Sequence, residues 1–246
     1  MKIDMHVHTI FSDGINTPEE IVRYAKKIGL DGIAITDHNT VSGFDRAAAE
    51  GKRIGIKVIK GEEVKVREKN ITIGEFLVYF IEEKIHPINS TDKIPEIVDL
   101  VKEQGGIIAV SHPFSSRINI SYVKNFLKNG WKGPHILDII EEMNVRLDAI
   151  EIINGRTEKH LNEKSKKYAI EKKLIGISGS DAHRMKEVGN FYTFSEVNDI
   201  EEFRELMEKN KIDKILPFGK ERNILEIYYN RIVSQFAKVA IRSTKK

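Results

Sequence analysis

Four short clusters each come directly after an apolar run of strand length: Asp4-Met5-His6-Val7-His8, Thr36-Asp37-His38-Asn39, Ser111-His112-Pro113 and Ser180-Asp181-Ala182-His183. They hold five of the eight histidines, and three of them also carry aspartate. A fold that ends several parallel strands on one rim gathers such residues from distant parts of the chain. Imidazole nitrogen and carboxylate oxygen are the donors that divalent transition metals take. The chain has no cysteine, so every ligand is N or O, which suits Zn, Mn, Fe or Mg.

The rest of the chain alternates strand and helix patterns. Strands are expected over Lys2–Val7, Gly32–Thr36, Ile56–Val64, Ile71–Ile81, Ile107–Val110, Ala149–Ile153, Leu174–Ser178 and Phe191–Phe194. Thr17-Pro18-Glu19-Glu20 reads as a capped helix start, with Ile21, Val22, Ala25 and Ile28 at helical spacing before Gly29. Further helices are expected from Ser42 to Arg53, over Ile94–Glu103, Ser121–Lys128 and Ile136–Met143, from a Thr157 cap to Lys172, from Asn198 to Lys209, and from Arg222 to Ile241. This rhythm implies parallel strands with helices outside. The 246 residues, 40% apolar and 31% charged, fit one α/β barrel-type domain with a full core. A net charge of +3 is too small to argue for nucleic acid, though it leaves room for a local basic patch. The first cluster leaves no space for a signal peptide before it, and no apolar run is long enough to span a membrane, so the expected location is cytoplasmic.

His6 and His8 lie two apart on an extended segment and point to the same side. Asp13, in the turn Ser12-Asp13-Gly14, is either a turn former or a ligand. Asp37 either orients a neighbouring imidazole or starts a turn. His112 precedes a proline, which favours extended backbone. Asp181 and His183 follow Ser178-Gly179-Ser180, whose glycine lets backbone come close to a site. In Gly61-Glu62-Glu63-Val64 adjacent residues face opposite ways, so one glutamate faces the site and its partner faces away. Glu75, before Phe76-Leu77-Val78-Tyr79, is a ligand or an exposed edge residue. His135 and His160 read as helix-packing or surface residues, and Trp131 as core or interface. Three cationic candidates, Arg117, Arg156 and Arg184, follow strand ends and either bind phosphate bidentately or pair surface acids.

The whole set, with Gly61-x-Glu63-Val64 and Ser12-Asp13-Gly14 in order, resembles the PHP (polymerase and histidinol phosphatase) superfamily from Lys2 to about Phe194. It looks most like the stand-alone phosphoesterases of the nucleoside 3′,5′-bisphosphate phosphatase and RNase AM type. The resemblance implies a distorted (β/α)7 TIM-like barrel with the site at the C-terminal ends of the strands, holding two or three divalent metals (Zn, Mn or Fe). It implies that His6, His8, Glu63 and Asp181 hold a first metal. Glu63 bridges to a second, held also by His112, and Asp13, His38 and His183 hold a third. Many relatives carry a histidine at the start of the strand after the bridging glutamate. This chain has Glu75, carried over as a ligand, which hardens that position towards Mn or Fe; His86 lies beyond the strand. Relatives also carry an Asn-Gly-Arg segment like Asn154-Gly155-Arg156, which favours Arg156 as the phosphate contact, then Arg117.

The implied activity is hydrolysis of a phosphate monoester by metal-activated water, with Asp13, Glu63, Asp181 and Arg156 as the catalytic set. The substrate is a small phosphate ester or nucleotide, or a short 5′-phosphorylated RNA. Histidinol phosphate is an alternative. An amidohydrolase also begins with His-x-His, but usually brings a bridging lysine and a single late aspartate; here the late motif is Asp-x-His and no lysine sits alone at a plausible strand end. A non-catalytic metal module of a polymerase or ribonuclease assembly is the alternative outside enzymes. The catalytic domain is expected over residues 1–215. Residues 216–246 are read as an amphipathic helix and basic tail packed on the same domain, with Ile224, Tyr228, Ile232, Phe236 and Val239 on one stripe. A dimer contact or an RNA-facing tail is the other reading of that segment.

Overall fold

In a computed structural model of the chain, residues 1–69, 71–115 and 135–220 are described. Their apolar runs become the strands β1 (Lys2–Val7), β2 (Gly32–Ile35), β3 (Lys57–Glu68), β4 (Ile71–Tyr79), β5 (Ile107–Val110), β6 (Ala149–Asn154), β7 (Ile175–Gly179), β8 (Phe191–Phe194) and β9 (Leu216–Gly219). One sheet contains them all, in the order β7-β6-β5-β4-β3-β2-β1-β8-β9. The sheet curls until β7 meets β1. Val7 bridges Ala182, the His8 N–H donates to Ala182 O at 2.9 Å, and the Ser180 N–H donates to Asp4 Oδ1 at 2.9 Å. The result is the nearly closed α/β barrel that the resemblance implies.

Its strands are not all parallel, as the simple alternation suggested. β1, β2 and β3 run together, as do β5, β6 and β7, but β4 is antiparallel to both its neighbours. Only positions 69 and 70 separate β3 from β4, and so short a link makes a hairpin, since a parallel crossover needs a dozen residues or more. Lys69 takes φ 49° in that turn. The reversal matters for the site, because the start of β4 lies at the same rim as the ends of β3 and β5. β8 and β9 form a second antiparallel pair on the outer side of β1. Residues 216–219, read from sequence as the beginning of the tail, are therefore a strand of the sheet.

The helices are α1 (Pro18–Lys27), α2 (Phe44–Ile54), α3 (Ile94–Glu103), α4 (Ile136–Glu142), α5 (Lys159–Lys172) and α6 (Ile200–Glu208). The Thr17–Glu20 capping box of α1 is present as read. Three other starts differ. Gly43 rather than Ser42 caps α2, Glu158 rather than Thr157 caps α5, and Asp199 rather than Asn198 caps α6 by accepting the Glu202 N–H. Thr157 is used differently, its hydroxyl donating to Asn154 Oδ1 at 3.1 Å. The helices expected over 121–128 and 222–241 lie outside the described residues, as do Arg117 and Trp131.

Ile3, Leu77, Ile107 and Ile175, from strands far apart in the sheet, pack together with Phe203 and Met207 of α6. Such a cluster forms only across a barrel interior. On the outside, Val7, Ile33 and Ile35 pack on α1 and α2, while Val64, Phe76, Val78 and Ile108 pack on α3 and α4. No helix among the described residues is long and apolar enough to cross a membrane.

Candidate metal centre

Every described ligand candidate comes to the same rim, and most are fully buried. His6 and His8, both at 0% exposure, point the same way from the end of β1, and their Nε2 atoms are 3.0 Å apart. Each Nε2 lies 3.3 Å from Glu63 Oε2, and Asp181 Oδ1 lies 3.3 Å from His8 Nε2 and 3.8 Å from His6 Nε2. Donors about 2.0–2.2 Å from one tetrahedral ion stand about 3.3–3.6 Å apart, so His6, His8 and Glu63 are spaced to hold a divalent metal, with Asp181 beside the two imidazoles. Glu63 Oε1 turns to His112 Nε2 at 3.0 Å, and Glu75 Oε2 is 3.5 Å from the same nitrogen. Asp13 reaches His183 Nε2 at 3.0 Å and His38 Nε2 at 3.7 Å. Metal-competent groups therefore form around His6/His8/Glu63, around His38/Glu63/Glu75, and around His8/Asp13/His38/His183, with donors within 4.8 Å of one another in each.

Strand geometry explains which carboxylates enter. On β3, Glu63 faces in and Glu62 faces away, where its Oε2 accepts the Ile85 N–H at 2.8 Å. On β4, Glu75 shares a face with Leu77 and is 2% exposed, so it is no edge residue. His86 is exposed and stands outside the cluster. Two ligand candidates sit on left-handed backbone, Asp181 at φ 51° and His112 at φ 24°. For His112 this overturns the extended conformation expected before proline. The turn lets its N–H donate to Glu151 Oε2 at 2.9 Å while Nε2 meets Glu63. Strain held at such positions is common at functional sites.

Asp37 does not touch an imidazole. It accepts the Thr9 N–H and hydroxyl, both at 2.7 Å, and the Ser12 hydroxyl at 2.6 Å, and so shapes the turn that carries Asp13. Orientation of the imidazoles falls instead to Glu151, which the sequence reading passed over. Glu151 Oε1 holds His6 Nδ1 at 3.0 Å, while Oε2 accepts from His112 N and from Asn154 Nδ2 at 3.0 Å. Its signal was a lone carboxylate inside the apolar strand Ala149-Ile150-Glu151-Ile152, since a charge buried in a strand needs partners. Asp4, also buried, accepts from Ser180 N and from Gly189 N at 2.8 Å, pinning the Asp181 turn to β1.

Gly179 makes that approach possible. A Cβ there would collide with His6 Cβ and lie 2.7 Å from the His6 backbone N. Gly179→Ala is expected to cost about 1–3 kcal/mol as overpacking and to displace His6. A urea melt and metal content measured together check this; an unchanged midpoint with full metal content contradicts it.

The electrostatics are those of a cation site. Burial opposes charge on His6, but Glu63, Glu151 and Asp181 outweigh it and hold its pKa well above the usual range. His8 is likewise pushed up to about 9, with Asp181 and Glu63 overcoming burial. Burial would raise Glu63, yet His6 and His38 hold it well below the carboxylate range. Burial and then the Arg156 charge bring His183 down to about 4, and burial keeps His38 well below its normal value. The acids thus favour positive charge at His6 and His8. A divalent cation among the same atoms supplies that positive charge instead, and its binding releases protons.

Arg156 is 7% exposed at the end of β6, with its N–H donating to Asn154 Oδ1 at 2.9 Å and its charge felt at His183. Arg184 Nη2 donates to Glu187 Oε1 at 3.2 Å. His135 caps α4, its Nδ1 accepting the Leu137 N–H at 3.3 Å, and His160 is exposed beside Glu158.

Comparison with known proteins agrees with this geometry. The profile of the PHP domain family matches residues 4–210. A protein of uncharacterised function from Methanocaldococcus jannaschii is 32% identical over 207 residues, covering 80% of this chain and 72% of that one. The 5′-3′ exoribonuclease of Haemophilus influenzae is 35% identical over 86 residues, 35% of this chain and 31% of its own length. Among solved structures, a protein from Bifidobacterium adolescentis assigned as a metal-dependent phosphoesterase superposes with a TM-score of 0.61 at 19% identity, covering 84% of this chain and 96% of that one. With a barrel of this form, these residues on its rim and a match over most of its length, the chain belongs to the PHP domain family.

Proposed function

We propose that this chain hydrolyses phosphate monoesters on nucleotides or on short RNAs that carry a 5′-phosphate. It is a metal-dependent phosphoesterase in the broad sense, a hydrolase of phosphate esters. The observation that carries this is the nested set of donors shared by Glu63, His8 and His38, with a buried arginine on the same rim. Divalent metals bound there lower the pKa of water and neutralise phosphate oxygens. His6, His8, Glu63 and Asp181 hold the cluster's deep end, and Glu75 and His112 its far side. Asp13 and His183 sit towards the opening, where Asp13 is a quarter exposed. Arg156 is the phosphate-binding cation, its guanidinium matching two phosphate oxygens in one plane. Arg184 is tied to Glu187 and serves the phosphate less directly; Arg117 remains a candidate outside the described residues. Residues 1–215 carry the activity in this reading, with 216–219 adding a strand to the same sheet and 221–246 outside the described residues.

The partial similarity to a 5′-3′ exoribonuclease supports the nucleotide or RNA substrate. The test is phosphate release by metal-stripped protein supplied with Mn, Zn, Fe or Mg. The panel is adenosine 3′,5′-bisphosphate, AMP, a 5′-phosphorylated dinucleotide, histidinol phosphate and p-nitrophenyl phosphate. Turnover of the bisphosphate or dinucleotide well above the others is expected. Preference for histidinol phosphate overturns the substrate assignment. Absence of turnover from a metal-loaded protein overturns the activity.

A further inference from the structure

The turn that carries Arg156 is gripped from two sides. On one side it is pressed against the turn of Asp181. The Gly155 N–H donates to Gly179 O at 3.0 Å, and a Cβ on Gly155 would lie 2.5 Å from Ser180 O and 2.7 Å from Phe191 Cδ2. On the other side stands Asn162, in the first turn of α5. Its Oδ1 accepts the Asn154 N–H at 3.1 Å, and its Nδ2 donates to Asn154 O at 3.2 Å and to Thr157 O at 3.4 Å. Asn162 thus takes the place of a strand at the end of β6, since the pairing of β5 with β6 ends at Val110 and Ile150. With its backbone fixed, the Asn154 side chain divides between two parts of the rim. Oδ1 accepts the Arg156 N–H at 2.9 Å and the Thr157 hydroxyl at 3.1 Å. Nδ2 donates to Glu151 Oε2 at 3.0 Å and to Asp181 Oδ2 at 3.4 Å.

We infer that Asn162, on a helix outside the barrel, is the positioning residue for Arg156: it holds the turn from which the guanidinium reaches the phosphate. The polarity of its amide is what matters. One end accepts from an N–H and the other donates to two carbonyls, which only an amide does at this size. Aspartate keeps the shape but has acceptors at both ends. One oxygen still meets the Asn154 N–H, while the other is set against the Asn154 and Thr157 carbonyl oxygens. The metal-competent side chains depend less on this grip. The Asp181 turn is also held by Asp4, which accepts from Ser180 N and Gly189 N, and His6, His8 and Glu63 come from β1 and its neighbours. A group displaced by about 1 Å can lose about 10²-fold of its effect. Loosening the turn therefore reaches the phosphate contact before the metal.

The inference rests on Arg156 being the phosphate-binding cation of the proposed phosphoesterase, but it is read by binding and spectra rather than turnover. Full-length Zn(II)-loaded protein is titrated with inorganic phosphate as wild type, Asn162→Asp, Arg156→Met and the double variant. Asn162→Asp is expected to weaken phosphate binding by about 10-fold, between the loss of one hydrogen bond and the displacement of a binding group. Its metal affinity, measured by chelator competition, should match the wild type. In the Arg156→Met background the same change should have no further effect, because both residues then act through one contact. In ¹⁵N-arginine protein, the Arg156 Nε–H signal, assigned with Arg156→Met, should exchange with water faster in Asn162→Asp than in wild type. Asn162→Ala removes the contacts without adding repulsion and should give a smaller change of the same sign, so the result does not hang on one variant folding. Unchanged phosphate affinity in both variants, additive losses in the cycle, or a parallel loss of metal affinity overturns the inference. Wild-type phosphate affinity in Arg156→Met alone shows instead that Arg156 is not the phosphate cation. The Nε–H signal then decides separately: faster exchange upholds the grip of Asn162 on Arg156, and unchanged exchange overturns it.

Discussion

His8→Ala is expected to lower metal-dependent turnover by at least about 10³-fold, the upper range for removing one preorganised electrostatic group. His8 is fully buried, and its Nε2 stands within 3.3 Å of His6, Glu63 and Asp181 donors. Alanine leaves two carboxylates and one imidazole around the deepest position. In the metal-free protein it also removes one of the imidazoles whose charge Asp181 and Glu63 favour. Two readouts separate these effects. Saturating metal stabilises the wild type by about 4 kcal/mol at 1,000 times Kd, seen as a rise in melting temperature, and that rise should shrink in His8→Ala. Raising the metal concentration should restore part of the activity. Full turnover at ordinary metal concentration would remove His8 from the centre.

Much of this centre was legible because its residues obey short-range rules. His6-x-His8 on a strand must point one way, and β1 runs over the residues its apolar pattern marks. Glu62 and Glu63 had to split between two faces, and they do. What escaped depends on the third dimension. Glu75 lies midway along β4, just before the stretch Phe76–Tyr79 that pairs with β5, and in an all-parallel barrel that side of the stretch lies away from the rim; only the hairpin reversal of β4 brings it there. The six positions between the strands read from sequence, Ile56–Val64 and Ile71–Ile81, held that information, since a parallel crossover needs a dozen residues or more. His112 follows a proline rule in isolation, but the Glu151 and Glu63 contacts override it. Asp37 sits beside His38 in sequence, yet its hydrogen bonds go to Thr9 and Ser12, 25 to 28 positions away. No local pattern specifies that choice, because it is set by how β1 and β2 pair.

Glu151→Gln should be nearly as damaging as loss of a ligand, although Glu151 is in none of the metal-competent groups. The substitution keeps shape and volume, so packing does not obscure the result. As a carboxylate, Glu151 accepts from His6 Nδ1, His112 N and Asn154 Nδ2 together. An amide has a single acceptor oxygen and brings two N–H donors of its own. Whichever way it turns, an N–H group meets a donor: either His6 Nδ1–H or the pair from His112 and Asn154. If the amide faces His6, the ring is driven to the tautomer with its proton on Nε2, the atom that points at His8 and Glu63. If it faces His112, the left-handed backbone at φ 24° loses the bond that holds it. Either outcome weakens metal binding by about 10–100-fold, the usual cost of losing the group that orients a ligating histidine. An unmatched buried donor adds about 1–3 kcal/mol of destabilisation. Metal affinity measured by competition with a chelator dye, beside a urea melt, checks both parts. A Gln variant with wild-type affinity would show that His6 needs no partner at Nδ1 and that Glu151 serves only to fill the strand.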